Sequence, residues 1–213
     1  MSTVTDHPTA PTVAYAALLD RVTAWLCTLG GAAGLLAAAA LTVERLNLAT
    51  DPTYVPTCSI NPIVACGSVM TSPQAQAFGV PNTLIGVAGF AALTTIGVAL
   101  LARVPLPRWF WLGLQAGVTF GVLFVHWLAY HSLYVIGALC PYCVVVWAVT
   151  IATFLYVTLR NLHAARRAVP RSLLPPVAAA IRYHSLLLVL WYATVVVAIL
   201  HRFWASWVTL ALA

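Results

Sequence analysis

The chain has 213 residues, 62% of them hydrophobic and 7% charged, with a formal net charge of +6. Soluble globular domains carry about 25% charged and about 45–50% apolar residues, and the mean hydropathy here is +0.96, so a water-soluble domain is excluded and an integral membrane protein is implied. Every basic residue is an arginine, and none joins a basic patch interleaved with aromatics. That argues against a nucleic-acid partner and for arginines flanking membrane spans.

Residues 1–20 form a polar tail, expected to be disordered and cytoplasmic. Val22 to Val43 carries no charge, between Arg21 and Glu44, and predicts a first span at 21–46. Its 22-residue apolar core exceeds the 7–15 residues of a signal-peptide core, and no basic region precedes it, so the segment is expected to stay in the mature chain. A loop at 47–80 follows. The charge-free stretches 52–102 and 109–159 are too long for one helix each, since a span needs about 20 residues. Turn residues divide them into a second span at 81–102, a third at 109–134 and a fourth at 141–160. Pro81 suits a first helical turn. A basic linker at 161–184 reads as a connector meeting anionic lipid, a fifth span covers 185–203, and 204–213, with Trp204 and Trp207, forms a short outer tail that either prolongs the fifth helix or lies in the interface. The fold class is all-α, a four-helix transmembrane bundle with a fifth transmembrane helix.

The arginines set the orientation. With the N-terminus inside, Arg21, Arg103, Arg108, Arg160, Arg166, Arg167, Arg171 and Arg182 lie inside and only Arg45 and Arg202 outside, as the positive-inside bias requires. Cys58 and Cys66 in the first loop, and Cys140 and Cys143 at the start of the fourth span, are then expected at the outer face, where disulfides persist. Cys27, alone within the first span, reads as a small apolar packing residue.

Cys140-Pro141-Tyr142-Cys143 places two sulfurs one turn apart on one helix face. The helix N-terminus favours a thiolate at Cys140, and Pro141 sits where the missing N–H has no helical partner. The spacing suits a redox dithiol, although zinc ligation and inert structure also produce it. Seven residues separate Cys58 from Cys66, longer than the usual zinc pair. His126 and His131 lie about 140° apart around a helix and share no face, so no metal site is expected. Two structural disulfides are the competing reading. A membrane bundle does not need such staples, and a strained, accessible bridge is the labile kind. The uncharged stretch 64–77 suits a segment lying on the bilayer surface and capping the bundle.

An ordered set of residues resembles the bacterial, disulfide-forming branch of the vitamin K epoxide reductase family. Cys58 is followed by Cys66, then Ser72, then Asn82 at the head of the second span, and then Cys140-x-x-Cys143 at the outer end of the fourth. The resemblance covers roughly 20–160 and implies a four-helix bundle enclosing a quinone, menaquinone or ubiquinone. It implies that Cys140 and Cys143 form the active-site pair, with Cys143 facing the quinone. Cys140 would exchange with Cys66, and Cys58 would meet a thioredoxin-like partner. Ser72 and Asn82 match positions beside the quinone. Trp147 stands where vertebrate members carry a tyrosine; its indole donates a hydrogen bond but cannot accept one, which counts against epoxide chemistry and leaves quinone reduction open. Many bacterial relatives carry a fused thioredoxin-like domain after the fifth helix. Here only about ten residues follow, so the partner is expected to be a separate extracytoplasmic protein, and the chain to sit in the bacterial plasma membrane.

Two other classes stay open. A quinone-independent membrane thiol reductase would need a cytoplasmic cysteine pair, which this topology lacks. A non-catalytic scaffold with structural bridges would resist mild reductant and hold no quinone.

Overall fold

The computed structural model describes residues 10–166, 170, 172 and 174–211. Five helical stretches are long and apolar enough to cross a membrane: Ala16–Thr50, Asn82–Leu101, Arg108–Ile136, Pro141–Ala165 and His184–Trp204. They are the five expected spans. The first stretch combines α1 (Ala10–Trp25) and α2 (Gly31–Thr50) through a wide π turn at Leu26–Gly30. The helix starts at Ala10, inside the segment expected to be a disordered tail; residues 1–9 lie outside the described residues. At about 1.5 Å per residue, the 35 residues of this rod exceed the roughly 30 Å of hydrocarbon. One end therefore stands in or above the headgroup layer.

The short α3 (Cys66–Met70) and a 3₁₀ turn at Pro73–Gln76 make up the cap over the bundle. α4 (Asn82–Leu101) follows Pro81, α5 (Arg108–Tyr130) ends in a second π turn at His131–Ile136, and α6 (Pro141–Ala165) opens on the proline of the C-x-x-C. α7 (Leu174–Arg182) lies in the expected basic linker. α8 (His184–Ala211) continues through most of 204–213 as helix.

Small residues let the first rod and α4 pack closely, as membrane helices do where no hydrophobic effect drives association. A Cβ on Gly97 would lie 2.3 Å from the backbone nitrogen of Thr28, one on Gly31 2.8 Å from that of Thr94, and one on Gly34 2.5 Å from the Phe90 ring. Cys27, Phe90, Leu93, Trp111, Leu114, Val118 and Val157 form the mid-bundle core, so Cys27 is a packing residue as expected. The bundle end opposite the cysteine pairs is closed by polar contacts. The Arg160 guanidinium lies 3.4 Å over the Trp111 ring and donates to Asp20 at 3.0 Å. Asn161 Nδ2 donates to Gln115 Oε1 at 3.1 Å.

α8 stands outside the four-helix core. Tyr192 Oη donates to the Ala148 carbonyl at 2.7 Å, Trp191 Nε1 donates to His126 Nε2 at 3.0 Å, and Phe203 is buried beside Leu139 and Trp147. Val195, Ala198 and Ile199 pack beside them, while Leu186, Val189 and Val197 on the other side are exposed, as lipid-facing residues are.

Candidate dithiol and disulfide site

Two distant segments are stitched together beside the sulfurs. The π turn after α5 ends at Gly137, whose φ of 72° is a left-handed conformation that favours glycine. Gly137 and Ala138 both donate to the Ser132 carbonyl, at 2.9 and 3.2 Å, which reverses the chain. Leu139 then donates to the Ile63 carbonyl at 2.7 Å, and Ala65 donates to the Leu139 carbonyl at 3.0 Å. Val64 and Leu139 thus form a parallel bridge, with Cys140 directly after Leu139 and Cys66 two residues after Val64. Asn61 Oδ1 shapes the incoming strand by accepting from the amides of Ile63 at 2.9 Å and Val64 at 2.7 Å, the local bonding that suits asparagine to turns.

Cys58 and Cys66 form a disulfide, with Cα atoms 5.7 Å apart. Cys140 and Cys143 are free thiols. Cys66 Sγ lies 3.3 Å from Cys140 Sγ. Cys66 and Cys140 are fully buried, and Cys58 is 6% exposed. Leu41 and Met70 pack around the three sulfurs, with Val69, Tyr142 and Cys143 at the edge. Cys140 is the extended N-cap residue of α6, and Pro141 occupies the first helical position. The hydrogen bond from the Cys143 thiol lowers the pKa of Cys140, and the amides of Cys143 and Tyr142 add to this, outweighing burial. The Cys140 thiol is thereby poised to ionise where it touches the disulfide.

The other family-matched residues fall in different places. Ser72 Oγ donates to the Val69 carbonyl at 2.7 Å, just past the end of α3. Asn82 Nδ2 donates to the Gln74 carbonyl at 2.7 Å, and its Oδ1 accepts from the Ala77 amide at 3.2 Å. Asn82 thereby ties the cap to the head of α4. Trp147, one turn below Cys143, is buried with Ile63, Val125, Leu133, Leu139 and Phe203.

A cavity of about 550 Å³ opens between α4, α5 and α6. Its lining is apolar and rich in glycine, and Asn82 and Val146, the latter three residues past Cys143, border it. Ser72 and Trp147 are not among its lining residues. At Gly89, Gly113 and Gly117 an added Cβ would meet nothing within 4 Å, so the helices present flat, open surfaces to the space. Thr153 also lines it, and its buried Oγ1 has no hydrogen-bond partner among the described residues. The volume lies within the range of small-molecule sites. A flat apolar ring with carbonyl oxygens, such as a quinone, fits such walls. No group of three or more metal-ligating side chains occurs among the described residues.

Sequence reading passed over Glu44, treating it only as the end of a charge-free run. The structure buries it to 8% exposure at the end of α2 that faces the cysteines. Its carboxylate accepts from Tyr54 Oη at 2.8 Å, from the Thr57 amide at 3.4 Å and from Thr57 Oγ1. The signal was available, because an ionisable residue within a span is a functional candidate by default.

A helical, multi-pass membrane protein with a disulfide packed against a dithiol is, in class, a membrane thiol oxidoreductase. The family model described as "Vitamin K epoxide reductase family" matches residues 25–158. That is more than half of the chain, and the chain belongs to this family. No curated protein matches the chain. Members of this family are generally linked to quinones and to thioredoxin-like partners.

Proposed function

We propose that the chain is a quinone-dependent thiol oxidoreductase that reoxidises a separate, extracytoplasmic thioredoxin-like protein and so drives disulfide formation. One observation carries the reading: Cys66 Sγ and Cys140 Sγ lie 3.3 Å apart, with Cys66 already bridged to Cys58. Electrons can pass between the two pairs without a large movement of either backbone.

The relay balances as follows. A partner dithiol attacks Cys58, and resolution of the mixed disulfide leaves the partner oxidised and Cys58 and Cys66 as thiols. The Cys66 thiolate attacks Cys140 of a Cys140–Cys143 bridge, forming a Cys66–Cys140 disulfide and releasing the Cys143 thiolate. Cys58 then attacks Cys66, closing the outer bridge and freeing Cys140. The result, an outer disulfide with two free inner thiols, is the arrangement of these four residues in the structure. Each step is thiolate attack on a sulfur, and the lowered pKa of Cys140 suits it to leave in the last exchange, where Cys58 attacks Cys66.

A quinone, when bound, supplies an acceptor for two electrons and two protons that is soluble in lipid. Asn82, at the cysteine end of the cavity, would give the second hydrogen of its Nδ2 to a ring oxygen, and the glycine faces of α4 and α5 would flank the rest of the molecule. The inner pair gives up two electrons and two protons as it closes again. A fall of about 30 mV supplies about 1.4 kcal/mol for such a two-electron couple. The arginine distribution supports a cytoplasmic N-terminus and outer-face cysteines, so the partner meets the relay from the water side.

The purified chain in lipid nanodiscs, given a reduced thioredoxin-like protein and a short-chain quinone, is expected to oxidise one dithiol for each quinone reduced. Equal partner oxidation with and without quinone, under anaerobic conditions, would contradict the proposal.

A further inference from the structure

Cys58 is the sulfur that the partner must reach, yet it is 6% exposed. Something must lift for attack, and the side chains of the segment leading into it are bonded to Glu44 of α2. Residues 54–57 run directly into Cys58 and are tied to the end of α2 by Glu44. Tyr54 Oη donates to one carboxylate oxygen at 2.8 Å and the Thr57 amide to the same oxygen at 3.4 Å, while Thr57 Oγ1 donates to the other. Among the described residues, no cation pairs with Glu44; the ion pair they contain joins Arg160 and Asp20. A buried carboxylate without a cation depends on its hydrogen-bond donors, and here every side-chain and amide donor comes from this segment. Leu41, one turn earlier on α2, packs against Cys58, Cys66 and Cys140. The same helix end therefore touches the sulfurs and grips the strap beside them.

We infer that Glu44 is a positioning residue of the thiol relay: through Tyr54 and Thr57 it holds the strap before Cys58 closed, keeping Cys66 against Cys140, and it sets how readily the strap lifts to admit the partner. The inference rests on the proposed relay. Lifting the strap breaks the hydrogen bonds of Tyr54 and Thr57 to the carboxylate, so the closed form is favoured between turnovers. Loosening the grip exposes the outer disulfide and at the same time relaxes the alignment of the inner exchange.

The test uses the full chain in nanodiscs and two readouts. The first is the rate at which reduced glutathione opens the Cys58–Cys66 bridge, followed by mass spectrometry. The second is kcat and KM for the thioredoxin-like partner in the quinone assay. Glu44→Gln and Thr57→Val are each expected to speed opening by glutathione about tenfold, the scale of a lost hydrogen bond to a charged group. Both should lower kcat without raising KM for the partner, and Thr57→Ser, which keeps the hydroxyl, should restore the glutathione rate. A purely structural role would lower thermal stability without this split. Should Glu44→Gln fold poorly, Thr57→Val and Tyr54→Phe carry the test. Opening at the wild-type rate in well-folded Thr57→Val and Tyr54→Phe chains would overturn the inference. If those rates are unchanged while Cys66→Ala is inactive, the strap role alone fails; if Cys66→Ala turns over normally, the relay itself fails.

Discussion

Cys66→Ala is expected to lower quinone-coupled oxidation of a thioredoxin-like partner on the order of 10³-fold or more, as removal of a reacting group does. Cys66 is the sulfur shared by both exchanges. It is bonded to Cys58 and lies 3.3 Å from Cys140. Without it, Cys58 has no bridge to offer the partner. Cys140 and Cys143 are no substitute, because Cys140 is fully buried and a protein thiol cannot approach it. The loss should therefore appear equally in kcat and in kcat/KM, with the helical spectrum and thermal stability little changed. Stopped-flow oxidation of the partner, monitored by its tryptophan fluorescence, measures this directly.

Gly117→Phe should separate the quinone step from the thiol steps. Gly117 borders the cavity, and an added Cβ there meets nothing within 4 Å, so a phenyl ring enters the space without displacing backbone. The helix also gains by losing a glycine. Steady-state turnover with quinone is expected to fall about 100-fold, the scale on which displacing a reactant from its productive position acts. A single turnover, in which the Cys58–Cys66 bridge oxidises one equivalent of reduced partner without quinone, is expected to stay within about twofold of the wild type, since the exchange geometry at the sulfurs is untouched. If both rates fell together, the cavity would not be the acceptor's site. If neither fell, the acceptor would bind elsewhere.

Most of the architecture was readable from patterns that depend on the bilayer rather than on tertiary packing. The run from Val22 to Val43 and the long charge-free stretches marked the spans, because an unpaired charge in hydrocarbon is costly. Pro81 and Pro141 marked helix starts, since an N-terminal turn has no use for their missing N–H. The four cysteines outside the first span were legible as two pairs, and the structure brings the pairs into contact through Cys66 and Cys140. Helix ends were less legible: the first helix already includes Ala10, outside the expected 21–46, and α8 runs on to Ala211, the helical one of the two alternatives left open for 204–213. The π turns at Leu26–Gly30 and His131–Ile136 leave no mark in apolar content. The second of them creates the Gly137 reversal and so the Val64–Leu139 bridge. That bridge, which aligns Cys66 with Cys140, joins segments far apart in the chain, and no local propensity encodes it. Glu44 was overlooked for a related reason: an acid at the end of an apolar run reads as a boundary until the loop that covers it is seen.

The central claim is that electrons cross between Cys66 and Cys140, and a trapped intermediate tests it most directly. In a Cys58→Ala, Cys143→Ala double variant each of these two sulfurs has lost its own partner. Mild oxidation in nanodiscs, followed by proteolysis and mass spectrometry without reductant, is predicted to yield a peptide pair joined through Cys66 and Cys140, in near-stoichiometric amount and without intermolecular dimers. Recovery of both cysteines as unlinked thiols, or linked only between molecules, would contradict the account.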